Sequence, residues 1–265
     1  MIAIRELTEK EGHLVIDARP ALMSAIRRIM LADLPKLAIE DVTVYENSSS
    51  MFDEIVAHRL GLLPIKTDLD LFVPRDQCTC GGEGCPSCTA IYTLTKEGAG
   101  MVYSGDLQAA NPNAPLADLG VPIVKLGPGQ RLMLEATAVM GKGRDHAKWQ
   151  PVTAVGYKQY PVITIGKECN SCGACEKVCP RGILVVRGNK VTVRELERCS
   201  LCGACQEACD LRAITVKGDD SKVIFKYETD GSLSAKDAFV RSLELMDAGL
   251  AAIEDDIKRG TELQK

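Results

Sequence analysis

Several features that would assign a function at once are missing from this chain of 265 residues. No apolar run approaches the ~20 residues that a membrane-spanning helix requires, so the sequence predicts no membrane span. The formal net charge is only −4, so the chain as a whole is no obvious binder of nucleic acid or other polyanions. Aromatic residues are scarce, with one Trp and four Phe, but hydrophobic residues make up 46% and suffice for a core.

Catalytic signatures are missing too. The segment Gly81-Gly82-Glu83-Gly84 lacks the G-x-G-x-x-G spacing of a dinucleotide-binding turn. His146 has no Cys or Ser partner in a nucleophilic arrangement. The chain opens Met1-Ile2-Ala3 without an export signal, so we expect a reducing cytoplasm, where cysteines serve as metal ligands rather than in disulfides. The sequence therefore predicts no catalytic residues and favours a cytoplasmic location.

Cysteine is abundant, with twelve in the chain. Eight of them form two C-x-x-C-x-x-C-x-x-x-C runs, from Cys169 to Cys179 and from Cys199 to Cys209. In bacterial ferredoxins, three thiolates of such a run hold one 4Fe–4S cubane and the fourth crosses to the other. Zinc or disulfides are the alternatives, and two complete copies of the run disfavour both. The predicted ligands are Cys169, Cys172, Cys175 and Cys209 for one cluster, and Cys199, Cys202, Cys205 and Cys179 for the other.

The remaining four cysteines form a second candidate metal site in a glycine-rich loop. Four thiolates on one short loop could hold a zinc ion tetrahedrally, although the first pair is more closely spaced than usual. The alternatives are four reduced surface thiols, or a pair that oxidises on handling. The candidate zinc ligands are Cys78, Cys80, Cys85 and Cys88.

Amphipathic helices are predicted near both ends of the chain. Pro20 favours a helix start, and Leu22, Ile26 and Ile29 then form part of one apolar stripe up to about Leu31. Another helix, further along the chain over 51–60, is predicted from the capping-box spacing of Ser50 and Asp53. It would bury Phe52, Ile55 and Val56.

The last helix is predicted to be long and capped by Ser234. Its apolar residues recur with steps of 4 and 3, the 3.5-residue period of a seam that packs along another helix. The helix near the N-terminus is too short to cover this seam, so the sequence predicts that part of it forms an association surface. The seam consists of Phe239, Leu243, Met246, Leu250, Ile253 and Ile257.

Four segments carry a resemblance to a known family. They are Ala25-Ile26-Arg27-Arg28-Ile29-Met30, Ala38-Ile39-Glu40-Asp41-Val42, Asn47-Ser48-Ser49 and His58-Arg59-Leu60-Gly61-Leu62-Leu63-Pro64-Ile65. In these the chain resembles the D subunits of archaeal DNA-directed RNA polymerases, the counterparts of the third-largest subunit of eukaryotic RNA polymerase II and of bacterial alpha. Members with a ferredoxin-like insertion are archaeal. The likeness extends over nearly the whole chain, including the closing helix.

The resemblance implies an α+β fold with three domains. Residues 1–45 and 218–265 would form a discontinuous alpha-like dimerisation domain. A β-rich insert domain would span 46–165 and carry the Cys loop at 78–88, for which the family likeness supports zinc. Residues 166–217 would be a ferredoxin-like insert domain with two 4Fe–4S clusters.

The resemblance also implies a non-catalytic assembly subunit of a DNA-dependent RNA polymerase. It would form a heterodimer with the small alpha-like subunit L and nucleate the large catalytic subunits, with small subunits N and P attached. Little or no direct DNA contact is expected. The implied partner interface comprises Leu22, Ile26, Ile29, Phe239, Leu243, Met246, Leu250 and Ile253.

One alternative is a ferredoxin-type electron-transfer subunit of a redox complex, which the cysteine runs alone would suggest. About 200 further residues with a pairing helix are more than such a carrier needs. Within the first interpretation, the clusters have either a structural role or an assembly-modulating one. The structural role is favoured because cluster ligation can fold a domain whose apolar side chains are too few to fold it alone.

Overall fold

The protein has an α+β fold, as predicted. A computed structural model describes residues 1–262, and side chains as far as residue 259. Five α-helices lie in this described part of the chain. They are α1 (Pro20–Ala32), α2 (Asp53–Gly61), α3 (Ala174–Val178), α4 (Ala204–Glu207) and α5 (Ala235–Glu262).

Most of the strands belong to two four-stranded sheets, with orders β1-β2-β12-β9 and β3-β8-β4-β6. Two antiparallel pairs, β5 with β7 and β10 with β11, complete the described strands. The strands are β1 (Ile2–Leu7), β2 (Glu11–Ile16), β3 (Pro35–Asn47), β4 (Thr89–Glu97), β5 (Gly100–Tyr103), β6 (Gln108–Ala109), β7 (Pro122–Leu126), β8 (Arg131–Lys142), β9 (Val152–Ile165), β10 (Leu184–Arg187), β11 (Lys190–Val193) and β12 (Ile214–Thr229).

The larger of two compact units comprises Glu6–Gly12, Ala25–Val155 and the chain from Tyr227 onward. Its core lies on the long antiparallel pair of β3 and β8, against which α2 packs. Val56 and Leu60 of α2 are fully buried there. The Tyr92 hydroxyl, also buried, donates a hydrogen bond to the Ala114 carbonyl (2.6 Å), so the one polar atom of this ring is satisfied.

The smaller unit comprises Met1–Arg5, His13–Ser24 and Gly156–Lys226. Its β10–β11 hairpin pairs Leu184 with Val193. The core beside this hairpin is small, with Ile183, Leu184 and Ile214 as its buried aliphatic residues. Cysteine thiols make up much of the rest of that core. The cysteine runs therefore contribute to the core of this unit.

A buried ion pair joins the start of β3 to the turn before α5. The Lys36 ammonium, only 3% exposed as a side chain, contacts the Asp230 carboxylate. The other carboxylate oxygen of Asp230 accepts a hydrogen bond from the Ser232 backbone N–H (2.9 Å). The Asp230 backbone N–H donates to the Pro151 carbonyl (3.0 Å). Both charges are thus compensated within the larger unit.

Two helix starts agree with the predictions and one does not. Helix α1 begins at Pro20, and the Ser234 hydroxyl caps α5 by accepting a hydrogen bond from the Asp237 N–H (3.0 Å). The capping box before α2 is wrong, because the helix begins at Asp53 and its N-cap is Phe52, without a side-chain cap. The burial predicted for Phe52 and Ile55 is also wrong, since they are 79% and 47% exposed.

Candidate metal centres and pairing surface

The loop between α2 and β4 brings four thiols together. The Sγ atoms of Cys78 and Cys85 are 3.5 Å apart, and those of Cys80 and Cys88 are 3.7 Å apart. All four Sγ atoms lie within 4.8 Å of one another. Zinc–thiolate bonds of about 2.3 Å place tetrahedral ligands roughly 3.8 Å apart, so this set has the dimensions of a four-thiolate zinc site. The four cysteines are free rather than joined by disulfides.

Turns in the backbone create this arrangement. The Cys85 carbonyl accepts hydrogen bonds from the N–H groups of Cys88 (3.0 Å) and Thr89 (2.9 Å), which curls the C-x-x-C segment around its two thiols. Gly84 precedes it with φ of +100°, a conformation in which a side chain would be strained. Cys78 and Cys88 are buried, whereas Cys80 and Cys85 are half-buried. The core therefore covers one side of the site, and the other side is partly open to solvent.

The electrostatics of the loop differ from thiol to thiol. Backbone N–H groups, that of Gly84 foremost, and the Cys78 thiol lower the pKa of Cys80 to about 5. Burial raises the pKa of Cys88 to about 12. Because metal ligands must be thiolates, Cys80 would be the readiest of these ligands for a zinc ion, and Cys88 would lose its proton only if the metal supplied the compensating charge.

The structure gathers the eight other cysteines into the two predicted sets. Cys169, Cys172, Cys175 and Cys209 line one cavity, together with Ile165 and Ile214 among others. A second cavity is lined by Cys199, Cys202, Cys205 and Cys179. The first cavity measures about 170 Å³ and the second about 10 Å³. The four thiols of the second set would therefore have to move further apart than those of the first to hold a cubane. In both cavities, the fourth thiol comes from the opposite run.

The two runs have the same backbone conformation. Gly173 and Gly203 have φ of +79° and +78°, and each precedes a short helix. Two residues earlier, Ser171 and Leu201 have φ of +57° and +58°, a region that side chains enter at a cost. The loops therefore wrap their three thiols in the same strained shape, as expected of duplicated ligand loops.

Backbone N–H groups point at these sulfurs. The Ala213 N–H donates to Cys209 Sγ (3.3 Å), and the Leu201 N–H to Cys199 Sγ (3.5 Å). Burial opposes ionisation of Cys179, but N–H groups of the following residues, Ile183 first, outweigh it and lower its pKa. Hydrogen bonds to thiolates are among the features that set the potentials of iron–sulfur clusters, so both sets suit such a group.

In each set, the cysteine most accessible to solvent is the second one of its run. Cys172 and Cys202 are exposed, whereas Cys205 is buried and Cys175 half-buried. Burial raises the pKa of both Cys175 and Cys205. A cluster in either cavity would therefore have one corner towards solvent.

The predicted seam of α5 changes from buried to exposed along the helix. Phe239 is 8% exposed, and its ring stacks on Tyr227 at a centroid distance of 5.9 Å. Leu243 and Met246 are half-buried. Leu250, Ile253 and Ile257 are 59%, 58% and 62% exposed, so the last described turns of the seam carry a largely exposed apolar stripe.

Two of the predicted interface residues offer no surface to a partner. Ile26 is 1% exposed and Phe239 is 8% exposed, because both pack within the chain itself. Leu22 is 41% exposed and Ile29 is half-buried. Among the predicted interface residues, the exposed ones are thus Leu22 on α1 and, separately, Leu250 and Ile253 on α5.

Residues 40–156, which include the thiol loop, match the model of the RNA polymerase Rpb3/RpoA insert domain. The chain is also 44% identical over 249 residues to DNA-directed RNA polymerase subunit Rpo3 of Methanosarcina acetivorans, covering 92% of this chain and 93% of that one. It is 43% identical over 249 residues to the subunit Rpo3 of Archaeoglobus fulgidus, covering 93% and 94%. The chain belongs to the Rpo3 family of DNA-directed RNA polymerase subunits.

Family membership confirms the resemblance seen in the sequence and gives no support to the electron-carrier alternative. A subunit of this family is part of an RNA polymerase complex with other subunits. Within the described residues, no helix has the length and apolarity needed to cross a membrane. The cysteine clusters could bind metal, as the geometry of the 78–88 loop indicates.

Sequence reasoning missed two lysines of this Rpo3-family chain that the fold makes important. One is Lys36, in the buried pair with Asp230. The other is Lys158 on β9, whose ammonium contacts the segment entering the second cysteine run. No local sequence motif marks either lysine, because the partner of Lys36 lies 194 residues away along the chain and the partners of Lys158 lie about 40 residues away.

Proposed function

We propose that this chain is a non-catalytic assembly subunit of an archaeal RNA polymerase. It forms a heterodimer with the small alpha-like subunit L through its alpha-like domain, residues 1–45 and 218–265. The heterodimer then recruits the large catalytic subunits, and small subunits N and P join the complex. The assembly acts in the cytoplasm, and the chain itself makes little or no contact with DNA.

The exposed stripe on α5 is the observation that carries this proposal. Leu250, Ile253 and Ile257 extend a seam of helix-packing period whose beginning is already buried in the chain. Leaving such a continuous apolar stripe in water is unfavourable, and long stripes of this kind mark association surfaces. A second helix with a matching seam would cover it.

The metal groups have structural roles in this proposal. Cys169, Cys172, Cys175 and Cys209 hold one 4Fe–4S cluster, and Cys199, Cys202, Cys205 and Cys179 hold the other. The small core of Ile183, Leu184 and Ile214 supports this, because cysteine thiols are part of it. So few aliphatic side chains contribute little folding free energy, and ligation of the clusters would supply the rest. The 78–88 loop holds one zinc ion.

Co-expression with the small alpha-like subunit tests the proposal. We expect a 1:1 complex by native mass spectrometry. A chain that stays monomeric in the presence of that subunit, and exchanges electrons with a redox enzyme, would instead establish the electron-transfer function. An assembly role of the clusters is tested by asking whether cluster-free heterodimer still binds the large subunits.

A further inference from the structure

Lys158 lies on β9 and contacts the segment that enters the second cysteine run. Its ammonium donates hydrogen bonds to two backbone carbonyls, that of Glu197 (2.7 Å) and that of Cys199 (2.5 Å). Residues Leu196–Arg198 form a 3-10 turn immediately before Cys199. Lys158 therefore fixes the carbonyls on both sides of Arg198, and with them the backbone that presents the Cys199 thiol.

A second cation holds the same segment. The Arg5 guanidinium, on β1, donates to the Glu197 carboxylate through Nη2 (2.6 Å) and Nε (2.9 Å). The Glu197 side chain is mostly buried, with 23% of its surface exposed. Glu197 is thus bound at its backbone by Lys158 and at its side chain by Arg5, and both cations belong to strands of the smaller unit.

At the first cysteine run, the described part of the chain shows no such hydrogen bond. Its entry is held by a backbone hydrogen bond, from the Gly166 N–H to the Ala213 carbonyl (2.7 Å). Within the described residues, no Lys or Arg side chain donates a hydrogen bond to residues 166–175. The two runs therefore repeat the same loop, but only the second has a lysine ammonium hydrogen-bonded to its backbone among the described residues.

The Lys158 ammonium would affect the reduction potential of an iron–sulfur cluster held by the second set of thiols. Reduction adds a negative charge to an iron–sulfur cluster, and a nearby fixed cation favours the more negative state. An ammonium bonded to the carbonyl of a ligating cysteine acts both on the orientation of that ligand and on the potential of the cluster.

We propose that Lys158 is a positioning residue specific to the second cluster: it holds the Cys199 loop in ligating geometry and raises the reduction potential of that cluster alone. The proposal rests on the proposed function, since it assumes that both thiol sets carry 4Fe–4S clusters. Lys158→Met removes the ammonium but keeps a side chain of similar length.

The test is an anaerobic purification of the full chain with iron and sulfide counted, followed by a redox titration monitored by electron paramagnetic resonance. Cys202→Ser identifies the signal of the second cluster. Lys158→Met should either lower the iron from about eight to about four atoms per chain, or move the second-cluster signal to a more negative potential. Lys158→Arg should restore the wild-type behaviour, because the positive charge and the donors remain.

The matched control is Lys167→Met, which removes an exposed lysine two residues before Cys169 in the first run. This control should leave the second-cluster signal unchanged, because Lys167 lies beside the first run. If Lys158→Met alters neither signal, or alters both equally, Lys158 has no specific role and the inference is overturned. If the wild-type chain binds no iron at all, the cluster assignment itself fails, and that result is visible before any variant is compared.

Discussion

Pairing through α5 can be tested by placing charge on its exposed stripe, in the double variant Leu250→Asp/Ile253→Asp. About three-fifths of each side chain is exposed in the free chain, at 59% and 58%. Fully burying a Leu or Ile side chain stabilises by about 1.5–3 kcal/mol, so covering the exposed part of each contributes about 1–2 kcal/mol. The pair therefore accounts for about 2–4 kcal/mol of binding, or a roughly 30- to 700-fold change in Kd. Burying two carboxylates adds to this loss.

Binding of the small alpha-like subunit can be measured by isothermal titration calorimetry, with helix content checked by circular dichroism. The control is Leu245→Asp, on the same helix but outside the seam, where Leu245 is 36% exposed. This control should bind within a few-fold of wild type. The reasoning is refuted if the double variant also binds within a few-fold of wild type, or if Leu245→Asp weakens binding as much.

Three further predictions concern the metal sites and the buried ion pair. Cys88→Ser should abolish the binding of about one zinc ion per chain and leave the iron content unchanged, as measured by elemental analysis; zinc retained at the wild-type level would contradict the zinc site. Lys36→Met should lower the free energy of unfolding by about 3–5 kcal/mol in chemical denaturation, since it leaves the Asp230 carboxylate buried without its cation; a loss below about 1 kcal/mol would contradict this. Cys172→Ser/Cys202→Ser should lose most of its iron yet still form the 1:1 heterodimer, by native mass spectrometry; loss of the heterodimer would show that the clusters are needed for pairing itself.

Local and periodic features of this fold could be predicted from the sequence. The 3.5-residue seam of α5 and its Ser234 cap depend on residues only a few positions apart, and both are present in the structure. The start of α1 at Pro20 is a local feature of the same kind. Such features follow from backbone geometry, which a short stretch of sequence determines.

The grouping of the cysteines is a prediction from the spacing and duplication of the two runs. Cys209 lies with the first run and Cys179 with the second, as the ferredoxin spacing indicates. Which ions occupy these sets, and the roles of individual ligands, stay predictions until the metals are counted.

Features that depend on distant partners could not be predicted. Helix α2 has apolar residues on more than one face, so the sequence does not reveal that Val56 packs inwards while Phe52 and Ile55 face outwards. The inward face is decided by the strands β3 and β7, which α2 contacts. Lys36 and Lys158 look like ordinary surface lysines in the sequence, and only the fold brings their partners to them.

The central claim is that this chain is needed to assemble the polymerase and takes no part in its chemistry. The most direct measurement is reconstitution of the enzyme from purified subunits, with this chain and the small alpha-like subunit either added first or omitted. The account predicts that the large subunits form an active, stable complex only when the heterodimer is present, and that Leu250→Asp/Ile253→Asp prevents this. Assembly of an active enzyme without this chain would contradict it.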